Sequence, residues 1–457
     1  MVVGDIGSTF TKLMAVTELG QTVISRQVRT RREAIAEGAA AAVTQLKADL
    51  AREGREVERF DLSSSAGGGL RVLVVGIEPK LTLEAGRKAS ETAGARIVAS
   101  WTLAELVQRG HADLERIAPD LALLTGGTDG GAVDAIDAAK VLRTLAPALP
   151  VVVAANEATY DAVARALGSN RIVRFAANLM PSVGQLAGES AQAEIRALFV
   201  DHVIASVKLA ARPEIASAVR LPTPAAVLRA AETIATSGLP GFERPVVVDL
   251  GGATTDVHSV ISLDDAERGY VSSGIEPQRI TRTVEGDLGM RESAATLVRA
   301  ARADGWLDDL APDRIAALER GAERRIHERG FLPEDDAERA LDEQLAQLAT
   351  EIAVARHAGA LRTTLTATGA VLRKTGRDLR KASCVIVTGG VFRHAQRAAE
   401  IVAAAWERVA ARGGLVKAGP PVFVDREYQL WAVGLLSAEH RGVADALLAR
   451  TFEPVSR

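Results

Sequence analysis

VVVDLGGATTDVHSV, residues Val246 to Val260, is the stretch on which the reading of this chain turns. A run of valines ends in Asp249, two glycines and three small residues follow, and Asp256 opens a second strand-like run. A buried strand that passes from an acid into glycines lets the backbone approach a ligand closely, which suits a phosphate and metal cradle. A tight hairpin with no ligand is the plainer alternative.

Two other glycine-bearing loops follow apolar strands: GDIGSTFTK (Gly4 to Lys12) and VTGGVFR (Val387 to Arg393). The first repeats the design of the quoted stretch: strand, acid, apolar residue, glycine, then hydroxyl-bearing residues. Such a repeat implies internal duplication. An acid at a strand end can hold Mg²⁺ through its water shell, because this hard ion keeps several waters and prefers carboxylate and phosphate oxygens. Asp5 and Asp249 are the candidates. The turn glycines Gly7, Gly251 and Gly252 offer backbone N–H groups to a phosphate, and Ser8, Thr9, Thr11, Thr254 and Thr255 offer hydroxyls. Lys12 is a further phosphate candidate, with an exposed strand lysine as the alternative. Two such hairpins facing each other would clamp a polyphosphate.

At 457 residues the chain exceeds a single core, and 47% hydrophobic with 25% charged residues is the balance of a soluble globular protein. The net charge of -3 leaves no global basic excess to attract nucleic acid or anionic lipid. One cysteine, Cys384, allows no internal disulfide and fits the reducing cytoplasm, where it reads as a buried strand residue. No apolar run is long enough to cross a membrane.

The opening segment reads as a three-stranded meander followed by a helix over about Arg32 to Arg52. From Phe60 to Pro181 apolar strands alternate with helices, which predicts a mostly parallel sheet covered on both faces. The expected organisation is therefore residues 1–59 as the first part of one lobe, 60–181 as an inserted α/β domain, 182–245 as a helical connection, and 246–457 as a second lobe with a closing helix.

The three loops in this order resemble the actin, Hsp70 and sugar-kinase ATPase superfamily, whose two related halves each carry an acidic phosphate hairpin and whose later Gly-Gly loop contacts adenosine. The resemblance implies an α/β, actin-like (ribonuclease H-like) ATPase with duplicated lobes, ATP and Mg²⁺ as cofactors, and Asp5 and Asp249 positioning the metal and attacking water. Gly389 and Gly390 match the nucleoside-binding glycines. DIGSTFTK, SSAGGGLRV, LTGGTDGG, VVVDLGGATTDVHSV, VEGDLGMR and VTGGVFR, spread over nearly the whole chain, narrow the likeness to the MutL/GlmL family. These are accessory proteins of adenosylcobalamin-dependent amino-acid mutases such as glutamate mutase, unrelated to the mismatch-repair protein of similar name. What the resemblance implies is an ATP-dependent, chaperone-like reactivating factor. It would hydrolyse ATP to drive damaged cobalamin out of a mutase partner, with the inserted domain facing that partner and oligomeric state left open.

Within VEGDLGMR, Glu285 or Asp287 could orient the water for hydrolysis, while Asp287 could equally cap the helix that follows. Asp256-x-His258 looks like a cobalt-ligating signature, but Ile261 stands where its glycine should be, and His258 reads as a strand residue. Asp129 fits either a ligand contact or a capped turn, and no histidine pairing marks a zinc site. A small-molecule kinase on the same fold, with Glu285 or Asp256 as base, is the alternative activity. An actin-like scaffold is a third.

Overall fold

The computed structural model describes residues 1–451 apart from 8, 32, 66–69, 132–134, 204–210, 263–270, 273–277, 329 and 367–368. The chain forms two compact units: Met1–Ala66 with Ser217–Val271 and Gln278–Arg457, and Gly67–Ala216 with Ser272–Pro277.

The first unit holds two five-stranded sheets built on one plan. In one, the order is Thr22–Arg29, Phe10–Val16, Val2–Ile6, Phe60–Ser64, Val219–Pro222; in the other, Ile280–Glu285, Thr255–Val260, Pro245–Leu250, Cys384–Thr388, Val422–Val424. Each begins with three antiparallel strands and ends with two that run parallel to the third. The duplication expected from the paired acidic hairpins is thus a duplication of whole sheets.

The quoted valines read as an unbroken apolar run because both faces of their strand are covered. Val246 and Val248 pack with Val257, Val385 and the helices Ala294–Ala303, Asp336–His357 and Ala398–Ala411. Val247 points the other way, into a core shared with Val3 and Met14 of the first sheet. That shared core is filled by helices Thr223–Ala235 and Leu430–Leu436. They cross backbone to backbone: a Cβ on Gly434 would stand 1.7 Å from the Ala226 carbonyl oxygen. The two sheets are therefore bonded into one body through these helices.

Strand Phe60–Ser64 belongs to the first sheet, pairing with Val2–Ile6, so the chain enters the inserted unit after this strand and not at Phe60. The stretch expected as a helical connection is also divided. Helix Glu189–Leu198 belongs to the inserted unit, whereas strand Val219–Pro222 closes the first sheet. Four residues including Arg220 and Pro222 carry too little periodicity to announce a strand.

The second unit is a parallel sheet ordered Arg96–Thr102, Arg71–Gly76, Leu121–Gly126, Val151–Ala155, Val173–Phe175. Its central strands are wholly buried, as the flat apolar runs LALLTG and VVVAA require. Helix Leu103–Ile117 starts with a capping box, in which the Thr102 N–H donates to Glu105 at 2.8 Å and the Glu105 N–H donates back to Thr102.

Candidate functional site

Each lobe delivers one hairpin to the same place. Gly7 N–H donates to the Phe10 carbonyl at 3.0 Å, and Gly251 N–H donates to the Thr254 carbonyl at 2.9 Å, so the two turns close with the same bond. Asp5 and Asp249 are the last residues but one of the corresponding strands. The tips approach each other: a Cβ on Gly252 would stand 3.3 Å from Thr9 Oγ1. Charges on Asp5 and Lys12 also act on the Asp249 carboxyl. Asp5, Thr9, Lys12, Asp249 and Gly252 are thus brought together, while Ser8 lies outside the described residues.

The register sets the electrostatics. Asp5 pairs across its hairpin with Lys12, and Asp249 pairs across its own with Asp256. Asp5 is buried and saturated with donors: Lys12 Nζ and Ser63 Oγ, each at 3.1 Å, and the Thr223 hydroxyl. Asp249 keeps partial contact with solvent, and no donor among the described residues reaches its carboxylate. The mass of protein around it, followed by the charge of Asp256, pushes its carboxyl up to about 7, against an opposing pull from Lys12. Asp256 is itself clamped by Arg282 at 2.6 Å and by the Thr254 hydroxyl at 3.1 Å.

The Lys12 ammonium lies 3.6 Å from the centre of the Tyr428 ring, a cation–π contact that fixes it between Asp5 and the carboxyl-terminal segment. Tyr428 takes a left-handed backbone, φ 55°. Burial, then Asp249, Asp5, Asp425 and Asp256, pushes its hydroxyl well above the ordinary range. Asp425, fully buried, accepts from Thr388 Oγ1 at 2.9 Å and from the N–H groups of Gln429 and Leu430, so it caps helix Leu430–Leu436. The third glycine loop packs on the second hairpin: Gly389, at φ 115°, approaches the Leu250 carbonyl so closely that a Cβ would stand 2.2 Å from it. Gly390 faces open space at the start of a short helix, and Arg393 Nη1 reaches Gln27 of the first sheet at 3.3 Å.

Other expected contacts are engaged in holding the fold. The Thr255 hydroxyl is buried and donates to the Leu288 carbonyl, and Thr11 Oγ1 bonds Thr30 Oγ1 at 3.0 Å. Segment Glu285–Arg291 lies along the second hairpin, with Met290 and Arg291 N–H donating to the Gly251 and Gly252 carbonyls. Gly289 permits this, since a Cβ would meet Ala253 backbone at 2.3 Å. Glu285 ends the edge strand and is paired with Arg356 at 2.7 Å; burial pushes its carboxyl up, and Arg356 opposes this. Asp287 shares Arg356 at 2.9 Å and does not cap a helix, because the next helix begins at Ala294 with Ser293 before it.

His258 is fully buried, and burial, Arg282 and His357 all disfavour its charged form. It is a strand residue without access to a corrinoid. Cys384 is buried, with its thiol pushed up to about 12. In the inserted unit, Asp129 accepts from Asn178 Nδ2 at 2.8 Å and so holds its own turn. An open groove of about 500 Å³ between helices Ile136–Leu145 and Tyr160–Leu167 gathers none of the expected site residues.

The residues suit Mg²⁺ unequally. No three carboxylates, histidines or cysteines among the described residues group as a protein cage. Asp249, solvent-touching and without a donor among the described residues, can face a hydrated ion, whereas the donors around Asp5 restrict it to contact through water. Sequence reasoning missed Ser63, Thr223, Asp425 and Tyr428. Asp425 alone had a signal: PVFVD repeats the strand-then-acid pattern of VVVD.

Two sheets of one plan, each sending an acid-bearing hairpin to a common point where a later Gly-Gly loop arrives, define the actin-like ATPase fold. The chain belongs to the MutL family, whose profile, described as MutL protein, matches residues 1–452. Protein MutL of Clostridium tetanomorphum is 34% identical over 443 residues, covering 95% of each chain. Among solved structures, nucleotide-free acetone carboxylase is 14% identical with a TM-score of 0.42, over 95% of this chain and 70% of that one. A ROK family glucokinase from Streptomyces griseus in complex with glucose and AMPPNP is 15% identical with a TM-score of 0.32, over 98% and 99%. The activator of 2-hydroxyisocaproyl-CoA dehydratase from Clostridium difficile, with bound ADPNP, is 9% identical with a TM-score of 0.32, over 100% and 99%. No helix among the described residues is long and apolar enough to cross a membrane.

Proposed function

We propose that the two hairpins bind ATP with Mg²⁺ and that the protein hydrolyses it as an accessory factor for a partner enzyme, an adenosylcobalamin-dependent amino-acid mutase. The observation that carries the ATPase reading is the meeting of the hairpin tips at Thr9 and Gly252 with both strand-end acids behind them. The partner comes from family membership.

The N–H groups of Gly252 and Ala253 and the Thr9 hydroxyl hold the phosphates from opposite sides, since the Gly7 and Gly251 N–H groups and the Thr254 hydroxyl are already donated within the hairpins. Lys12, pinned between Asp5 and Tyr428, supplies the positive charge. When bound, Mg²⁺ neutralises charge on the transferred phosphoryl group. Asp249 would face the hydrated ion, and its carboxyl, pushed up to about 7 in the metal-free chain, would accept a proton from the attacking water. Glu285, held by Arg356, orients water at the rim of the same sheet. Gly389 and Gly390 leave room for the nucleoside. A nucleotide gripped by both lobes favours their closed arrangement, and hydrolysis removes that bias.

ATP turnover measured with and without a mutase carrying damaged cobalamin tests this reading. Stimulated hydrolysis together with restored mutase turnover is expected. Hydrolysis with no effect on the mutase would remove the partner, and stoichiometric phosphorylation of a small acceptor would make the protein a kinase.

A further inference from the structure

Strands Ala360–Thr366 and Gly369–Thr375 form a seven-pair antiparallel hairpin in the second lobe without a register shift. The first of these stands at the end of its sheet, leaving its outer edge unpaired among the described residues. Natural edges are guarded by bulges, prolines or several charges. Strand ALRTTLT has one charge and neither of the other devices.

The side chains are placed for company. Arg362 and Arg373 are directly opposed across the hairpin, an arrangement that costs stability unless an anion joins them. Neither forms an ion pair among the described residues. From Ala358 to Arg377 the chain has four cationic residues and no acid. On the opposite face Leu365 is 84% exposed, and Leu372 is exposed beside it.

We propose that the outer edge of Ala360–Thr366 accepts an extended acidic segment of a partner protein as an added strand. Main-chain bonds to the open edge supply affinity, a carboxylate beside Arg362 neutralises the opposed pair Arg362 and Arg373, and an apolar residue on the other face covers Leu365. A second copy of this chain is a poor occupant, because its own edge brings arginine to arginine. The inference rests on the reading that the protein acts on another protein. It does not depend on which one.

The test uses the full chain and a fluorescein-labelled peptide of alternating glutamate and valine, with fluorescence anisotropy as readout. Two control peptides are N-methylated at alternate amides or carry lysine for glutamate. The glutamate peptide should bind about tenfold more tightly than either control. The double variant Arg362→Glu, Arg373→Glu should invert the preference toward the lysine peptide. Binding of the N-methylated peptide within about twofold of the parent would mean no added strand. Failure of the glutamate peptide to bind, or an unchanged preference in the double variant, would equally overturn the proposal. ATP hydrolysis by the double variant should match wild type, since neither arginine touches the cleft, and thermal unfolding reports its fold. A wild-type chain that binds the peptide but hydrolyses no ATP would sink the ATPase reading and leave the docking edge standing.

Discussion

At corresponding positions of the two hairpins stand Lys12 and Asp256, opposite Asp5 and Asp249 respectively. The turns close alike and the sheets share a strand plan, yet the charges across the strands are reversed. In the first lobe the acid is neutralised locally, by an ammonium and two hydroxyls. In the second the acid faces another acid, whose own charge is spent on Arg282, and its carboxyl is pushed up to about 7. Duplication supplied the geometry, and the difference at one cross-strand position gives the two acids opposite electrostatic surroundings.

The largest effect is expected at the acids themselves. Asp249→Asn should lower ATP turnover by about 10²- to 10⁴-fold while leaving thermal stability near neutral pH unchanged or raised. Asp5→Asn should instead destabilise the fold by about 1–3 kcal/mol, because its donors lose a charged acceptor. Turnover and unfolding measured on both variants break the comparison if the two behave alike.

Next comes Asp256→Asn. Removing this acid lowers the Asp249 carboxyl, so the acid limb of the kcat/KM profile, expected near pH 7, should move to lower pH. The same change removes the carboxylate that clamps the buried Arg282 guanidinium, at a cost of about 3–5 kcal/mol in denaturant unfolding. Lys12→Met should move the limb the other way, since Lys12 holds the Asp249 carboxyl down. Opposite displacements by these matched positions would sharpen the comparison; displacement in one direction would break it.

Stability carries the same signature. Burial and Asp256 push the Asp249 carboxyl up to about 7 in the folded chain, against about 4 for an unfolded aspartate. The folded state therefore holds the extra proton between these values, and the stability this group lends is full below about pH 4 and lost as pH rises to about 7. Asp249→Asn should flatten that slope. The smallest effect is expected from Gly252→Ala, whose methyl group would press on Thr9 Oγ1 from 3.3 Å. It should raise the KM for ATP by about threefold with kcat little changed, the pattern of weakened uniform binding.

Much of this asymmetry was written in the sequence without being readable there. VVVDLGGATTD and VGDIGSTFTK announce strand, acid and turn because those features are local. The cross-strand partners Lys12 and Asp256 were present in the same stretches, but their meaning depends on a register that the turn bonds fix. Thr223 and Ser63 reach Asp5 from 218 and 58 residues away, and nothing at either position marks it as a donor. Phe60–Ser64 reads as the first strand of the insertion because its pairing with Val2–Ile6 is likewise non-local. Tyr428 looks ordinary in sequence; its left-handed backbone and its place beneath Lys12 arise only when both lobes are assembled.

A crystal structure of the full chain with Mg²⁺ and AMPPNP tests the shared cleft most directly. The triphosphate should lie between the Gly7–Thr9 and Gly251–Thr254 turns, with the metal on the Asp249 side and the nucleoside against Gly389 and Gly390. A nucleotide bound elsewhere, or held by one hairpin with the other turned away, would contradict the account.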